Sequence, residues 1–242
     1  MLYSEYPDFY LFEEGLKDLE IELNSVQKQQ FIDYYELLIE RNNVMNLTAI
    51  TEFKEVVIKH FIDSLSLKQV LNLKNEKVLD LGTGAGFPGI PLKIVYPDIE
   101  ILLLDSLNKR IVFLDEVINK LMLKKINTLH GRAEDIGRDI NYREKFDICV
   151  SRAVAKLSSL SEYCLPFVTI GGSFISYKSG KIEEEIDEAK HAVKILGANI
   201  EKILDFKLIG TDIERTLVVI KKINNTPVKY PRNSGKPSKM PL

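Results

Sequence analysis

The segment KVLDLGTGAGFPGIPL, residues 77–92, constrains the fold of this 242-residue chain more than any other stretch. It begins with a short apolar run, after which three glycines stand at alternate positions: Gly82, Gly84 and Gly86. Glycine has no Cβ and adopts positive φ angles readily, so this spacing predicts a tight turn directly after a β-strand. Proline is favoured in the first turn of a helix, and Pro88 therefore predicts that a helix begins close to it.

From Lys77 onward, β-rich runs alternate with amphipathic stretches. Strands are predicted over residues 77–82, 100–105, 125–130, 146–151 and 171–178. Helices are predicted between them, near 89–96, 108–123, 156–167 and 181–196. Such alternation is typical of right-handed βαβ units on a parallel sheet that is covered on both faces. Two further strand-like runs, 198–209 and 215–222, are separated by a short connection and predict an antiparallel end to a sheet of about seven strands.

The pattern divides the chain into three parts. Residues 1–74 are predicted to form a helical N-terminal cap, because apolar residues recur at three- and four-residue steps, as at Phe31 and Tyr34. Residues 75–223 are predicted to form the α/β domain. Residues 224–242 hold four prolines and end in basic sequence, so they are not expected to continue a helix or a sheet. We expect this tail either to be mobile or to lie along a partner.

Composition and charge narrow the class of protein. Hydrophobic residues make up 45% of the chain and charged residues 28%, as in ordinary globular proteins. No apolar run approaches the roughly 20 residues that cross a bilayer, so we expect a cytoplasmic protein without membrane contact. The net charge of −2 does not indicate nucleic-acid binding by the chain as a whole. Residues 221–242 nevertheless hold six basic residues and no acid, which suits either a local polyanion contact or a solvated terminus.

The cysteines and histidines do not indicate a metal site. Cys149 and Cys164 lie in apolar contexts and form no C-x-x-C pair, so they are expected to be buried in a reducing compartment. His60, His130 and His191 show no ligand spacing among themselves or with the cysteines. We therefore expect no bound metal.

The glycine segment fits two different ligand motifs. Read from Gly84 it is G-x-G-x-x-G, the dinucleotide fingerprint, but its third glycine, Gly89, follows a proline and fits loosely. Read from Asp80 it is D-x-G-x-G-x-G, in which an acid closes the strand and the backbone passes close beneath a ribose and an amino-acid moiety. Asp105 closes the second predicted strand, where an acid accepts hydrogen bonds from ribose hydroxyls, and this position fits both motifs, whereas Asp80 two residues before the first glycine fits the second motif better. The sequence favours S-adenosylmethionine (SAM) over a nicotinamide or flavin cofactor, and an NAD(P)-binding oxidoreductase remains the alternative.

Further candidate residues follow the third and fourth predicted strands. GRAED, residues 131–135, stands where the adenine edge of SAM usually lies, and Ala133 and Glu134 offer a backbone amide and an acceptor there. Arg152 ends the fourth strand, beside the cleft where the transferred methyl would lie. We predict that Arg152 both contacts the cofactor and takes part in catalysis.

The residues after the fourth strand limit the choice of methyl acceptor. Methylation of an exocyclic base amine generally uses D/N-P-P-Y/F at this place, whereas this chain has Ser151-Arg152-Ala153-Val154. Methylation of a pyrimidine carbon needs a nucleophilic cysteine, and Cys164 is not in a Pro-Cys pair. An acceptor such as guanine N7 carries a free lone pair and no proton, so its methylation requires positioning and no general base. A non-RNA substrate remains open at this point.

Several motifs, in order along residues 40–222, resemble those of the small-subunit ribosomal RNA methyltransferase G family, also called glucose-inhibited division protein B. The motifs are NLTAI (46–50), HFIDSL (60–65), VLDLGTGAGFPGIPL (78–92), LLDSLNKR (103–110), GRAED (131–135), SRAVAKL (151–157) and ERTLVVIKK (214–222). The resemblance implies a class I SAM-dependent methyltransferase fold, Rossmann-like, with a mostly parallel sheet, an antiparallel last strand and a helical N-terminal cap. It implies methyl transfer from SAM to N7 of a guanosine in 16S rRNA.

The resemblance also implies site residues. Cofactor contacts are expected from the glycine loop, from the ends of the second and fourth strands and from the segment after the third. With those derived above they are Asp80, Gly82, Gly84, Gly86, Phe87, Asp105, Ala133, Glu134 and Arg152. Arg215 matches a family arginine thought to face RNA, and basic residues of the last strand and tail are expected to join it. These RNA-binding candidates are Arg215, Lys221, Lys222, Lys229 and Arg232.

The expected partner is 16S rRNA, within the small ribosomal subunit or an assembly intermediate, and the chain is expected to be a monomer. The roles of Asn46 and His60, which lie in two of the shared motifs, stay open on sequence alone.

Overall fold

The computed structural model describes residues 2–152, 155–180 and 182–242. Ala153 and Val154, which belong to the segment used above to limit the acceptor, lie outside the described residues. So does Lys181, at the predicted start of the last helix.

Helices dominate the N-terminal part. Helix α1 spans Phe9–Asp18 and α2 spans Ser25–Met45, and both are α-helical. Helix α3 (Phe53–Val56) continues through a π-helical stretch, Val57–Ile62, into α4 (Asp63–Leu65) and a 3₁₀ turn, Ser66–Gln69. The sequence pattern indicated the helical character of this stretch, but not its π-helical part.

The two ends of α2 have local causes. It begins at a capping box, in which Asn24 Oδ1 accepts from the Gln27 amide and Gln27 Oε1 accepts from the Asn24 amide. It ends at Asn46, whose left-handed backbone (φ 50°, ψ 61°) stops the helix. The Asn42 side chain then accepts from the amides of Leu47 and Thr48 and turns the chain away.

In the described part of the chain, seven strands form one sheet in the order β3-β2-β1-β4-β5-β7-β6. The strands are β1 (Lys77–Leu81), β2 (Glu100–Asp105), β3 (Ile126–His130), β4 (Phe146–Ser151), β5 (Val168–Ser179), β6 (Ala198–Lys207) and β7 (Glu214–Lys222). Strands β1 to β5 pair in parallel, and β7 runs antiparallel to both β5 and β6. The predicted α/β class, strand number and antiparallel end are confirmed.

Strand β5 begins three residues before its predicted start. Its pairing with β4 shifts from Phe146 opposite Val168 to Ile148 opposite Ser173, so the extra residues form a bulge that holds both glycines of the strand. Glycine in a strand therefore marked an irregularity here and not a boundary.

Helices cover both faces of the sheet. They are α5 (Gly89–Val95), α6 (Asn108–Lys120), α7 (Ala133–Ile136), α8 (Leu157–Cys164) and α9 (Glu183–Ile195), followed near the C-terminus by α10 (Lys236–Lys239). Among the residues that the structure describes, no helix combines the length and the apolar character needed to cross a membrane.

The N-terminal helices share one apolar core with the sheet. Phe12, Phe31 and Phe61 meet with ring centroids 4.6 to 5.8 Å apart, and Tyr34 lies 5.3 Å from Phe87 of the glycine loop. The same cluster continues into α5, α6 and one face of the sheet. A second cluster covers the other face beneath α8 and α9 and holds the buried, free thiols Cys149 and Cys164.

The C-terminal segment packs on its own domain. The Arg143 guanidinium donates to the carbonyl oxygens of Tyr230 and Thr226, and the Arg138 guanidinium donates to that of Pro231. The expectation of a mobile or partner-bound tail without helix is wrong, because these arginines satisfy its carbonyls and it ends in the short α10.

Candidate functional site

The glycine loop joins β1 to α5 at the carboxyl edge of the sheet. Gly84 has φ +62°, and among the described residues the only atom within 4 Å of an added Cβ would be Gly82 O, at 4.0 Å, so space is open above Gly84. At Gly86 (φ +101°) a Cβ would lie 2.7 Å from both Tyr34 Oη and Ile90 Cγ1. Packing beneath the loop therefore requires glycine at position 86. This packing role replaces the predicted direct contact of Gly86 with a cofactor.

Asp80 braces the same loop from below. Its Oδ2 accepts from Thr83 Oγ1 at 2.6 Å and from the Gly89 amide at 2.8 Å. Burial raises the pKa of Asp80 to about 7, and its Oδ1 is buried without a hydrogen-bond partner among the described residues. Asp80 does not line the cavity above the loop. Its predicted role as a cofactor contact is corrected to that of a residue which positions the loop.

The cap also holds the loop. Tyr34 of α2 is fully buried, and its hydroxyl donates to the Ala85 carbonyl. Burial raises the pKa of Tyr34 well above its ordinary value, so the hydroxyl keeps its proton. The loop therefore lies between a cap helix and α5.

A cavity of about 520 Å³ opens above the loop, at the carboxyl ends of β1 to β4. Cavities that hold small molecules in proteins are roughly 300 to 1,000 Å³. The predicted residues that the structure brings together here are Gly82, Gly84, Phe87, Asp105, Ala133, Glu134 and Arg152. The lining also includes residues that the sequence did not single out: Leu47, Thr48, Arg110, Tyr163, Gly235 and Ser238.

Asp105 fixes the geometry between β2 and the loop. Its Oδ2 accepts from the Gly84 amide at 2.9 Å, and its Oδ1 accepts from the Leu107 amide at 2.9 Å. Arg110 lies 3.1 Å from Oδ2, so a cation accompanies the carboxylate in its buried position. These contacts hold the Asp105 carboxylate in place at the wall of the cavity.

Arg152 is held by the cap. Its Nη1 donates to Lys59 O at 3.0 Å and pairs with Asp63 Oδ2 at 3.1 Å, and its Nη2 lies 3.1 Å from His60 Nδ1. The guanidinium carbon is 5.1 Å from the centre of the Phe87 ring. The π-helical stretch and α4 thus fix the arginine that follows β4, and this contact brings the segments HFIDSL and SRAVAKL together.

His60 is a neutral positioning residue. Its Nδ1 lies 3.1 Å from both Arg152 Nη2 and Lys59 O, and its Nε2 lies 2.9 Å from Thr48 Oγ1. Burial, reinforced by Arg152, lowers the pKa of His60 to about 3. Its ring stacks on Phe87 with centroids 4.4 Å apart. His60 therefore orients Arg152, Phe87 and Thr48 without carrying charge.

A second cavity, of about 830 Å³, adjoins the first at His60, Arg152 and Ala155. It is lined largely by polar and charged side chains, including Lys59, Asp63, Tyr177, Lys178, Glu184 and Arg215. Asp63 bridges its two arginines, because Oδ1 accepts from Arg215 Nε at 3.1 Å while Oδ2 pairs with Arg152. The predicted RNA-facing Arg215 thus lies beside the predicted catalytic Arg152.

Strand β7 carries Lys221 and Lys222 away from both cavities. In its antiparallel pairing with β5, Arg215 lies opposite Ser179 at the carboxyl edge, and Lys221 lies opposite Ser173. Lys221 lies six positions along the strand from Arg215, a distance of about 20 Å.

Lys222 cannot serve as an RNA contact. It is 1% exposed, and its ammonium donates to Leu165 O and Thr226 Oγ1, both at 2.6 Å, beside Glu144. Its predicted role is wrong, because β7 turns this side chain into the core. Lys229 is exposed, whereas Arg232 is paired with the buried Glu162.

Some of the missed site residues carried a sequence signal and some did not. Thr48 and Asp63 lie within NLTAI and HFIDSL, so the shared motifs contained them without indicating their roles. Nothing in the composition of the tail indicated that Gly235 and Ser238 return to the cavity. Among the described residues, no group of three or more His, Cys, Asp or Glu is arranged to hold a metal ion.

The family model described as rRNA small subunit methyltransferase G matches residues 27–216. A ribosomal RNA small subunit methyltransferase G from Lachnoclostridium phytofermentans is 59% identical over 96% of this chain and 96% of its own length. One from Acetivibrio thermocellus is 54% identical over 95% of this chain and 94% of its own.

Solved structures show the same fold at low sequence identity. TYW2 from M. jannaschii, in complex with AdoMet, matches with a TM-score of 0.55 and 16% identity, over 72% of this chain and 80% of that chain. TrmN from Thermus thermophilus matches with a TM-score of 0.53 and 16% identity, over 67% of this chain and 48% of that one. The strand order, the loop after β1 and these matches agree, and the chain belongs to the rRNA small subunit methyltransferase G family.

Proposed function

We propose that this chain transfers a methyl group from SAM to N7 of a guanosine in 16S rRNA. The observation that carries the proposal is the meeting of two cavities at Arg152 and His60, at the carboxyl edge of a class I methyltransferase sheet. The proposal is supported by relatives with more than half of their residues identical that are named as small-subunit rRNA methyltransferases.

The first cavity fits SAM. Above Gly84 lies open space that a Cβ would begin to fill, which suits a ribose passing close to the backbone. Asp105 would accept from the ribose hydroxyls, and Ala133 and Glu134 would meet the adenine. Phe87 and Arg152 would border the sulfonium end. When bound, SAM supplies an electrophilic methyl group.

The second cavity would take the guanine. Arg152 and Arg215 face it with Asp63 between them, so donors for a base oxygen or a phosphate stand next to the first cavity. Arg152 borders both cavities and would hold the two reactants in contact.

The site residues suit an acceptor that loses no proton. The lowered pKa of His60 keeps it neutral, and both ring nitrogens already lie within hydrogen-bond distance of protein groups, so it is not poised as a general base. Guanine N7 attacks with a free lone pair. Alignment and exclusion of water then carry the catalysis, and proximity of this kind contributes roughly 7–11 kcal/mol to lowering a barrier.

We propose further that the chain acts in the cytoplasm as a monomer, on 16S rRNA within the small ribosomal subunit or an assembly intermediate. Arg215 and the exposed Lys229 would contact RNA phosphates. Sedimentation of the chain alone and with small subunits tests the oligomeric state and the partner together.

The experiment that tests the function is transfer of tritiated methyl from SAM to small-subunit rRNA from cells lacking this enzyme, followed by digestion to nucleosides. Label in 7-methylguanosine is the expected result. Absence of label in naked RNA and in subunits, despite measured SAM binding, would reject the RNA substrate in favour of a non-RNA acceptor. Binding of NAD(P) without SAM would reject the methyltransferase assignment altogether.

A further inference from the structure

Residues 231–242, here called the C-terminal strap, run across the first cavity beside α7 and α8. Gly235 and Ser238 of the strap line that cavity together with Leu160 and Tyr163 of α8. They lie on the side where Ala133 and Glu134 follow β3. The strap is therefore part of the cavity wall in the folded chain.

One anchor of the strap is a buried ion pair. Glu162 of α8 is fully buried, and its carboxylate accepts from the Arg232 amide at 2.7 Å and from the Arg232 guanidinium at 2.6 to 3.0 Å. Ser159 Oγ also donates to Pro237 O at 2.8 Å. A carboxylate buried this deeply requires its cationic partner, so the strap is fixed to α8 at this point.

A second contact joins the strap to a predicted cofactor residue. The Gly235 amide donates to Glu134 Oε1 at 2.8 Å. Gly235 has φ +77°, a left-handed backbone conformation that favours glycine at this position. Since a carboxylate has further acceptor positions, Glu134 can hold the strap and accept from a ligand at the same time.

We infer that the C-terminal strap is a component of the SAM site, and that it sets cofactor affinity by closing the adenine side of the cavity and by fixing Glu134. The inference rests on the proposed function, since it takes SAM as the ligand. It also replaces the view of this segment as a tail devoted to RNA: Lys236 and Lys239 point outward while Gly235 faces the cofactor cavity.

The test is calorimetric titration of SAM into the full-length protein and three variants. Gly235→Pro removes the N–H that Glu134 accepts, and proline cannot adopt φ +77°. Glu162→Gln/Arg232→Gln releases the anchor without leaving an unpaired buried charge. Lys236→Ala is the matched control, because this exposed side chain belongs to the strap and does not line the cavity.

We expect the dissociation constant of SAM to rise about tenfold in Gly235→Pro and in the double variant, as for loss of a hydrogen bond to a charged group, and to stay unchanged in Lys236→Ala. Circular dichroism at the titration temperature establishes that each variant is folded. In an independent readout, SAM should slow tryptic cleavage after Lys239 in the wild type and not in Gly235→Pro.

Equal SAM affinity in the wild type, Gly235→Pro and the double variant would overturn the strap inference and leave the proposed function intact. Failure of the wild type itself to bind SAM would overturn the proposed function. The two failures are thus distinguished within one set of titrations.

Discussion

At the scale of single residues, the site depends on side chains that hold one another in place. Arg152 is 18% exposed at its side chain and touches Lys59 O, Asp63, His60 and the Phe87 ring. These contacts fix the guanidinium plane before any ligand arrives, so a ligand does not have to order it. Such preorganisation is what a reaction dependent on alignment requires.

We predict that Gly84→Asp raises the dissociation constant of SAM about a hundredfold or more, while the protein stays folded. Aspartate tolerates positive φ better than most residues, and the side chain would extend into the space above the loop. Gly210→Asp is the control, because Gly210 has a similar φ of +68° and equally open space outside the cavity. Unchanged SAM affinity of Gly84→Asp in calorimetry would refute the assigned site.

His60 leads to a prediction about pH. Its pKa is lowered from 6.5 to about 3 in the folded protein, so the unfolded chain binds the proton more tightly. The contribution of His60 to stability is complete above pH 6.5 and is lost as the pH falls toward 3, at up to about 1.4 kcal/mol per pH unit.

Urea unfolding of the wild type and His60→Gln between pH 7.5 and 4 checks this. As the pH falls, the free energy of unfolding should decrease more steeply in the wild type than in the variant, because glutamine does not titrate. Carboxylates titrate in both proteins and cancel in the difference. Parallel curves would contradict the lowered pKa.

At the scale of elements, the side chains of neighbouring residues in β7 lie on opposite faces of the sheet. Leu217 and Val219 belong to the apolar cluster on one face of the sheet, and Val218 and Ile220 belong to the cluster on the other. Both faces are covered, so alternation along this strand does not separate inside from outside. A basic residue on such a strand is therefore not a reliable sign of a nucleic-acid surface.

The pair Lys221→Met and Lys222→Met tests this reading of β7. Lys222→Met should lower the free energy of unfolding by about 2–4 kcal/mol, because it removes the ion pair and hydrogen bonds that join β7 to residues 144, 165 and 226. Lys221→Met should change stability little. Affinity for small-subunit rRNA, measured by filter binding, should be retained in both, and a selective loss in Lys222→Met would restore its role as an RNA contact.

At the scale of the whole molecule, the cap and the α/β part are joined by one core. Phe31 and Tyr34 of α2 pack with Phe61 and Phe87, and the Tyr34 hydroxyl reaches the glycine loop. Arg41 of α2 also pairs with Glu116 of α6. The cap therefore supports the glycine loop and the first cavity above it directly.

We predict a single cooperative unfolding transition for cap and α/β part, with equal calorimetric and van't Hoff enthalpies. Phe31→Ala should lower the free energy of unfolding by about 3–5 kcal/mol, since Phe31 is fully buried. The whole transition should then move to a lower temperature. Val44→Ala, on the exposed side of the same helix, should have little effect. Two separate transitions, with one lost in Phe31→Ala, would show that the cap unfolds on its own.

The sequence by itself determined the elements and the loop. Strands β1 to β4 and the start of α5 near Pro88 follow from apolar runs, glycine spacing and proline position, which are local properties of the chain. The sequence also placed the acids Asp80 and Asp105 at the ends of β1 and β2. In the structure Asp80 braces the loop and Asp105 borders the cavity. Local steric preference suffices for such features.

Only the tertiary structure decided which distant residues meet. Asp63 joins Arg152 to Arg215, Gly235 closes the cavity at Glu134, and Lys222 is enclosed by a segment that reads as a solvated tail. The contacts of Asp63 and Gly235 join residues that are 89 to 152 positions apart, and the burial of Lys222 depends on which strand face is covered, so no short-range pattern encodes them. Their physical cause is the need of each buried charge and each buried backbone group for a partner, and the fold as a whole supplies that partner.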